Sequence, residues 1–379
     1  MNHPDQNTRL LKALPFWLSL TFVPMIIIVI SLGSWWLLTV PLYVWGMFAL
    51  LDQISSLDLT NIDPDTSDDQ LFWYRLITLI WLPIQALIVF GSIYAATHFD
   101  FSSWEQFALM FGVGVSSGTV GINYSHELMH QKNQLERWLS DGLLAMVLYG
   151  HFRSEHLLVH HSYVGTPRDP VTARYNEGFH RFFPRVLVGC FKSAWRAEAG
   201  MLARKDLASW HPENPFLRYF SLELLMLIFA WSLGGWIGVA LFVCQAFVAV
   251  WQLELVNYVE HYGLTRKHLG NGKYEPVMPR HSWNSSHRFS NYLLINLQRH
   301  SDHHYKPNRR FPLLQNHLAQ DAPQLPFGYP VMTAAAMIPP LWRRRMNPRV
   351  RKWRAMYYPE IVDWAPYKSA SNPMPKGAS

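Results

Sequence analysis

The chain has 379 residues, 50% of them hydrophobic and 16% charged, with a formal net charge of +7, 18 histidines and two cysteines. Its apolar residues fall in uncharged runs at 13–51, 76–99, 106–126 and 224–253. Runs of this length exclude an ordinary soluble domain, because one helical crossing of a bilayer needs about 20 apolar residues. Cys190 and Cys244 alone exclude a cysteine-held iron–sulfur cluster, and the positive balance reflects membrane topology rather than nucleic-acid binding.

The first run divides at Ser31-Leu32-Gly33-Ser34 and the last at Gly234-Gly235, which predicts six spans at 12–31, 35–51, 71–97, 104–125, 217–234 and 236–257. The short links after the first, third and fifth spans hold no Lys or Arg. Arg9 and Lys12 precede the first span, eleven basic residues lie between Lys132 and Lys205, and eighteen lie between Arg266 and Lys376. By the positive-inside rule these basic segments and both termini are cytoplasmic. The N-terminal run lacks an evident small-residue cleavage site and continues into a second span, so it reads as a retained helix. The expected architecture is all-α, a polytopic membrane protein with six transmembrane helices and a cytoplasmic histidine-rich catalytic region. Its expected parts are 1–125 with four spans, 126–216, 217–257 with two spans, and 258–379, forming one catalytic unit.

The fourth span runs into His126-Glu127-Leu128-Met129-His130, two imidazoles four apart on one helical face. The same string is the zinc-protease signature, with Glu127 as base. Leu135 to Tyr149 suits an interfacial helix. Next comes Glu155-His156-Leu157-Leu158-Val159-His160-His161, where spacing puts His156 and His160 on one face. Asp169, in Thr166-Pro167-Arg168-Asp169-Pro170, reads by itself as a turn or cap residue. Tyr175 to Pro215 mixes basic and apolar residues, as helices lying against a membrane do.

The sixth span ends in Asn257-Tyr258-Val259-Glu260-His261-Tyr262-Gly263, and an even number of crossings lets this cluster meet the earlier ones. In Leu297-Gln298-Arg299-His300-Ser301-Asp302-His303-His304, the helical spacing would point all three histidines at one metal. His281 and His287 lack such clustering and are expected in hydrogen-bonding or structural roles. His3, His98, His151, His180, His211, His268 and His317 carry no ligand signal. Residues 331–342 are apolar but too short to span, so a re-entrant or surface-lying segment is expected. Arg343 to Arg354 reads as a solvated basic face near anionic lipid or as a docking site.

The four clusters hold nine histidines. A structural zinc site uses four ligands and a catalytic one three plus water, so nine suffice for two metals with an open position for a reacting molecule. Imidazole suits Fe, Cu, Zn and Ni alike, which leaves the metal open. Each cluster also carries an acid, Glu127, Glu155, Glu260 or Asp302. Such carboxylates would balance the metal charge and fix imidazole tautomers.

These four boxes resemble those of the membrane-bound alkane monooxygenase (alkane 1-hydroxylase) family, related to the membrane fatty acid desaturases and xylene monooxygenase. The likeness runs from the fourth span to about Arg354, and the last two boxes are its most specific part. It implies a non-haem di-iron centre of two Fe ions, ligated by His126, His130, His156, His160, His161, His261, His300, His303 and His304, with Asp169 joining the four acids around it. It further implies terminal hydroxylation of medium- to long-chain n-alkanes with O2 in a bacterial inner membrane. Electrons would come from rubredoxin, itself reduced by an NADH-dependent flavoprotein reductase. The family often has Gly where this chain has Val159, and Lys directly after the first box where this chain has Gln131 before Lys132. Neither departure alters a histidine of the boxes. A desaturase or an oxygenase of aromatic methyl groups would share the boxes, and the zinc protease would use only the first.

Overall fold

The computed structural model describes residues 6–369, so His3 lies outside the described residues. Among these, four helices are long and apolar enough to cross a membrane: α1 (Thr8–Leu32), α2 (Ser34–Ile54), α3 (Asp68–His98) and α8 (Pro215–His261). Between α3 and α8 lie α4 (103–129), α5 (Gln134–Ala145), α6 (152–163) and α7 (Phe179–Ala203). After α8 come a small hairpin (His268–Gly270 with Lys273–Tyr274), α9 (Arg288–Leu293), α10 (His300–Tyr305), α11 (Tyr329–Ala336) and α12 (Pro339–Tyr357). The described residues are thus mostly helical, with almost no strand.

The Gly234-Gly235 pair breaks α8 into two arms, with Gly235 at φ 58°, a left-handed value that costs other residues about 1–2 kcal/mol. α4 packs closely along the second arm, where a Cβ at Gly114 would lie 2.6 Å from the Gln245 carbonyl oxygen. Buried polar side chains link the bundle. Trp81 donates to Gln85 (2.9 Å), Gln85 to Ser117 (2.7 Å), and Ser117 to Gln245 (3.0 Å). In an apolar bundle such bonds specify which helices meet.

A second core, built on Tyr258, Tyr262, Met332, Trp342 and Trp353, lies around the C-terminal end of α8. Residues 331–342 present two faces: Met332, Ala336 and Trp342 are fully buried in this core, while Ile338 and Leu341 stay exposed. On α12, Trp342, Met346, Val350 and Trp353 bury one face, while Arg344, Arg349 and Arg351 stay exposed. α5 is amphipathic, with Leu143 and Leu144 buried and Leu135 and Trp138 exposed.

Long-range bonds hold the loops near α10 to the bundle. The Asp52 carboxylate, at the end of α2, accepts from the Phe289 and Ser290 amides at the start of α9 (3.0 Å each). Arg299 donates to the Leu314 and Thr60 carbonyls (2.7 and 2.9 Å). Arg310 bridges Glu136 and Asp68. The fourth box and the loop after it are thereby fixed against the segment between α2 and α3 and against α5.

Candidate metal centre

Two of the four histidine boxes follow or contain π turns. Residues Ser117–Ile122 form one before His126 and His130, and Glu155–His160 form the other. A π turn changes the angular register of every residue beyond it. In α6 the result is that His156 meets His161, with Nε2 atoms 2.9 Å apart, while His160 turns to a different set of rings. The expectation that His156 and His160 share a face is therefore corrected.

The imidazoles converge in two groups. His126, His130, His156 and His303 make one, and His160, His261, His300 and His304 the other, with ligand nitrogens in each lying within 4.8 Å of one another. His161 joins the first, 2.9 Å from His156 and 3.2 Å from His303, and its ring centre is 4.7 Å from that of His304. α10 thus sends His303 to one group and His300 and His304 to the other. The three therefore do not fall in one group, because a single helical turn is wedged between two sets of partners.

The donor set fits metal ions. Nε2 of His156 lies 2.9, 3.0 and 2.9 Å from Nε2 of His126, His130 and His161. A ring nitrogen offers one proton or one lone pair, so hydrogen bonding cannot account for three such contacts. Metal–nitrogen bonds of about 2.0–2.1 Å at right angles would place neighbouring nitrogens about 3 Å apart. In the second group His300 lies 3.1 Å from His261 and 3.0 Å from His304. There the Nδ1 of His160 contacts Asp169 (2.9 Å) and its buried Nε2 has no hydrogen-bond partner. An orphaned ring nitrogen beside three other imidazoles is the donor a cation would use. Burial, reinforced by neighbouring imidazoles, holds His156, His161, His300, His303 and His304 well below the usual histidine range. They are neutral at pH 7, as ligation requires.

The acids divide by what they touch. Asp169 accepts from His160 and from the Thr172 hydroxyl on the same oxygen. Glu260 approaches His300 Nε2 at 3.3 Å through one oxygen and accepts from the Tyr329 hydroxyl (2.7 Å) through the other. It stands on the ligating side of that ring. Glu127 accepts from the Phe311 amide (3.2 Å) and Gln131. Asp302 is taken by Arg309, the Gln315 amide and His317. Both Glu155 oxygens are buried without a hydrogen-bond partner. His281 bonds Tyr358 and His287 bonds Ser285, so both keep the hydrogen-bonding roles expected of them.

A narrow cavity of about 40 Å³ has His126, His156, His300 and Glu260 in its wall. It shares Thr119, Gln252, Val256 and Leu294 with a second of about 40 Å³ that reaches Val44, Trp45 and Phe48 of α2. The two lie on either side of these four residues, one against the imidazoles and the other against α2.

Sequence reasoning missed Tyr329 and Glu254. Tyr329 stands outside every cluster and had no signal. Glu254 did, as a carboxylate inside an apolar span. It accepts from the Tyr149 hydroxyl (2.8 Å) and Asn257 (3.1 Å), and Asn257 lines the cavity.

A family model for fatty acid desaturases matches residues 102–336. Alkane 1-monooxygenase 1 of Pseudomonas aeruginosa is 38% identical over 330 residues, 85% of each chain. Alkane 1-monooxygenase 2 of the same organism is 36% identical over 368 residues, 93% of this chain and 96% of its own. The hydroxylase component of a Pseudomonas putida xylene/toluene monooxygenase is 31% identical over 244 residues, 64% of this chain and 63% of its own.

Proposed function

The chain belongs to the alkane 1-monooxygenases, within the fatty acid desaturase family, and from that premise we propose that it hydroxylates the terminal methyl of medium- to long-chain n-alkanes to 1-alkanols with O2. The observation that carries this reading is the convergence of nine imidazoles beside a cavity walled by apolar side chains such as Ile122, Leu253 and Val256. Two iron ions held there would supply the redox chemistry that activates dioxygen and inserts one of its atoms into a C–H bond.

The chain's own residues do the rest. His126, His130, His156, His161 and His303 would hold one iron, and His160, His261, His300 and His304 the other. Asp169 keeps His160 in the tautomer whose Nε2 is free to ligate. An alkane offers no polar handle, so selectivity rests on shape: the neck formed by Thr119, Gln252, Val256 and Leu294 admits a chain end-on. Glu127, Glu155, Glu260 and Asp302 would offset the positive charge, and Glu127 and Asp302 also brace the 309–317 loop.

The two electrons come from outside, since the chain has only two cysteines. The proposed donor is rubredoxin, reduced by a flavoprotein reductase using NADH. An open recess of about 730 Å³ supports an external donor, for His130 lies in its wall beside Lys132, Tyr305, Lys306 and Arg309. The proposed setting is a bacterial inner membrane crossed six times, with α4 and both arms of α8 as spans. Both termini and the histidine boxes then face the cytoplasm, and 1–125, 126–216, 217–257 and 258–379 act as one unit.

The zinc-protease reading loses support because the Glu127 carboxylate is engaged by Phe311 and Gln131. The deciding experiment supplies n-alkanes of several lengths and 18O-labelled dioxygen to cells making the protein, rubredoxin and reductase. Labelled primary alcohol that vanishes in His300→Ala is the expected result. An unlabelled alkene, or no oxidation by protein holding a single zinc, overturns the reading.

A further inference from the structure

A pocket of about 280 Å³ opens between the 166–175 loop, α7, Thr265 and the segment around Trp364. Arg168, Arg174, Arg185, Lys192, Arg196 and Arg354 line it, against a single carboxylate, Asp169. That carboxylate is already committed to His160, Thr172 and the Val171 amide. Arg185 is likewise committed, to Glu177 (2.8 Å) and the Pro170 carbonyl (2.8 Å), and so ties the loop to α7. Gly189 allows the loop this close, since a Cβ there would meet Pro170 Cβ at 2.7 Å.

Lys192, Arg196 and Arg354 form no ion pair among the described residues. Arg354 is held in place by the rings of Trp364 (4.3 Å) and Tyr175 (4.6 Å), and its buried Nε has no hydrogen-bond partner. Burial pushes its guanidinium down to about 10, the mark of a cation short of solvation. The Thr265 hydroxyl, on a residue only 9% exposed, is also without a partner. A buried donor and a desolvated cation left this way are costly unless an anion completes them.

We propose that this pocket binds a phosphate group, carried by an anionic lipid headgroup or by free phosphate. Several acceptor oxygens on one anion match a guanidinium fork, an ammonium and a hydroxyl arriving from different segments. The lipid source has support in α7, where exposed Val188 and Phe191 stand beside Lys192, as on a helix lying at a membrane surface. The proposal does not depend on what the metal centre oxidises.

The test uses the full-length, metal-loaded protein. One arm measures inorganic phosphate uptake in detergent by equilibrium dialysis. The other measures phosphatidylglycerol retained per chain in phosphatidylcholine nanodiscs. One phosphate group per chain is expected, with affinity falling about tenfold or more in Lys192→Glu/Arg196→Glu and a few-fold in Thr265→Val. Arg344→Glu/Lys352→Glu makes the same charge change on the exposed face of α12 and should leave binding intact. Saturation in the first arm assigns free phosphate, and in the second a lipid. No saturable uptake in either arm, equal loss in both double variants, or no effect of Thr265→Val overturns the proposal.

Discussion

Replacing Asp169 by Asn isolates one half of the metal centre. Its Oδ2 accepts from both His160 Nδ1 and the Thr172 hydroxyl, and its Oδ1 accepts from the Val171 amide. An amide keeps one acceptor oxygen, so at least one of these three donors then faces an NH2 group. Hydrogen bonds to a charged group contribute about 1.5–3 kcal/mol, and partners that orient a metal-bound histidine are worth about 10–100-fold in metal affinity. The two figures agree, since a tenfold change is about 1.4 kcal/mol. His160 is the only one of the nine histidines bonded to this carboxylate, so only the ion it would share with His261, His300 and His304 should be affected. The assay is iron per chain after dialysis against rising chelator. Half of the iron should leave Asp169→Asn at about 10–100-fold lower chelator, the other half at the wild-type concentration. Loss of both halves together, or of neither, would refute the assignment of separate ligand sets.

Val256→Phe fills the neck shared by the two cavities. Its product alcohols should shift to shorter chains, each methylene excluded forfeiting about 0.8 kcal/mol of burial. An unchanged length profile by gas chromatography would remove these cavities as the alkane path. A pH effect arises at Glu275. Burial alone would raise its carboxyl, but hydrogen bonds from His281, Tyr358 and the Lys267 amide hold it down at about 2. Because the folded value is depressed, its stabilisation is complete above the usual 4.5 and disappears as pH falls through about 2. Thermal unfolding of wild type and Glu275→Gln should therefore differ most near neutrality and converge in acid. A constant difference would refute this account.

The metal-binding residue types were legible because each box is local: histidines a few residues apart betray themselves without knowledge of the fold. Their partition was not. Helical spacing suggested that His156 and His160 act together, and that His300, His303 and His304 serve one ion. The π turn at 155–160 and the wedge position of α10 reassigned them. Likewise composition records that 331–342 is apolar but not that Met332, Ala336 and Trp342 enter the core around α8 while Ile338 and Leu341 stay exposed.

By itself the sequence determined the helical class, the long apolar elements, the break at Gly234-Gly235 and the nine converging histidines. Composition, glycine conformation and helical period act within a few residues of one another, so a linear reading captures them. Only the tertiary structure decided which imidazoles group together, that Asp169 bonds His160 while Asp302 is taken up by Arg309 and His317, and that one cavity borders the imidazoles and its neighbour α2. Those outcomes depend on contacts between segments as far apart as Asp52 and Phe289, and no local pattern encodes such meetings.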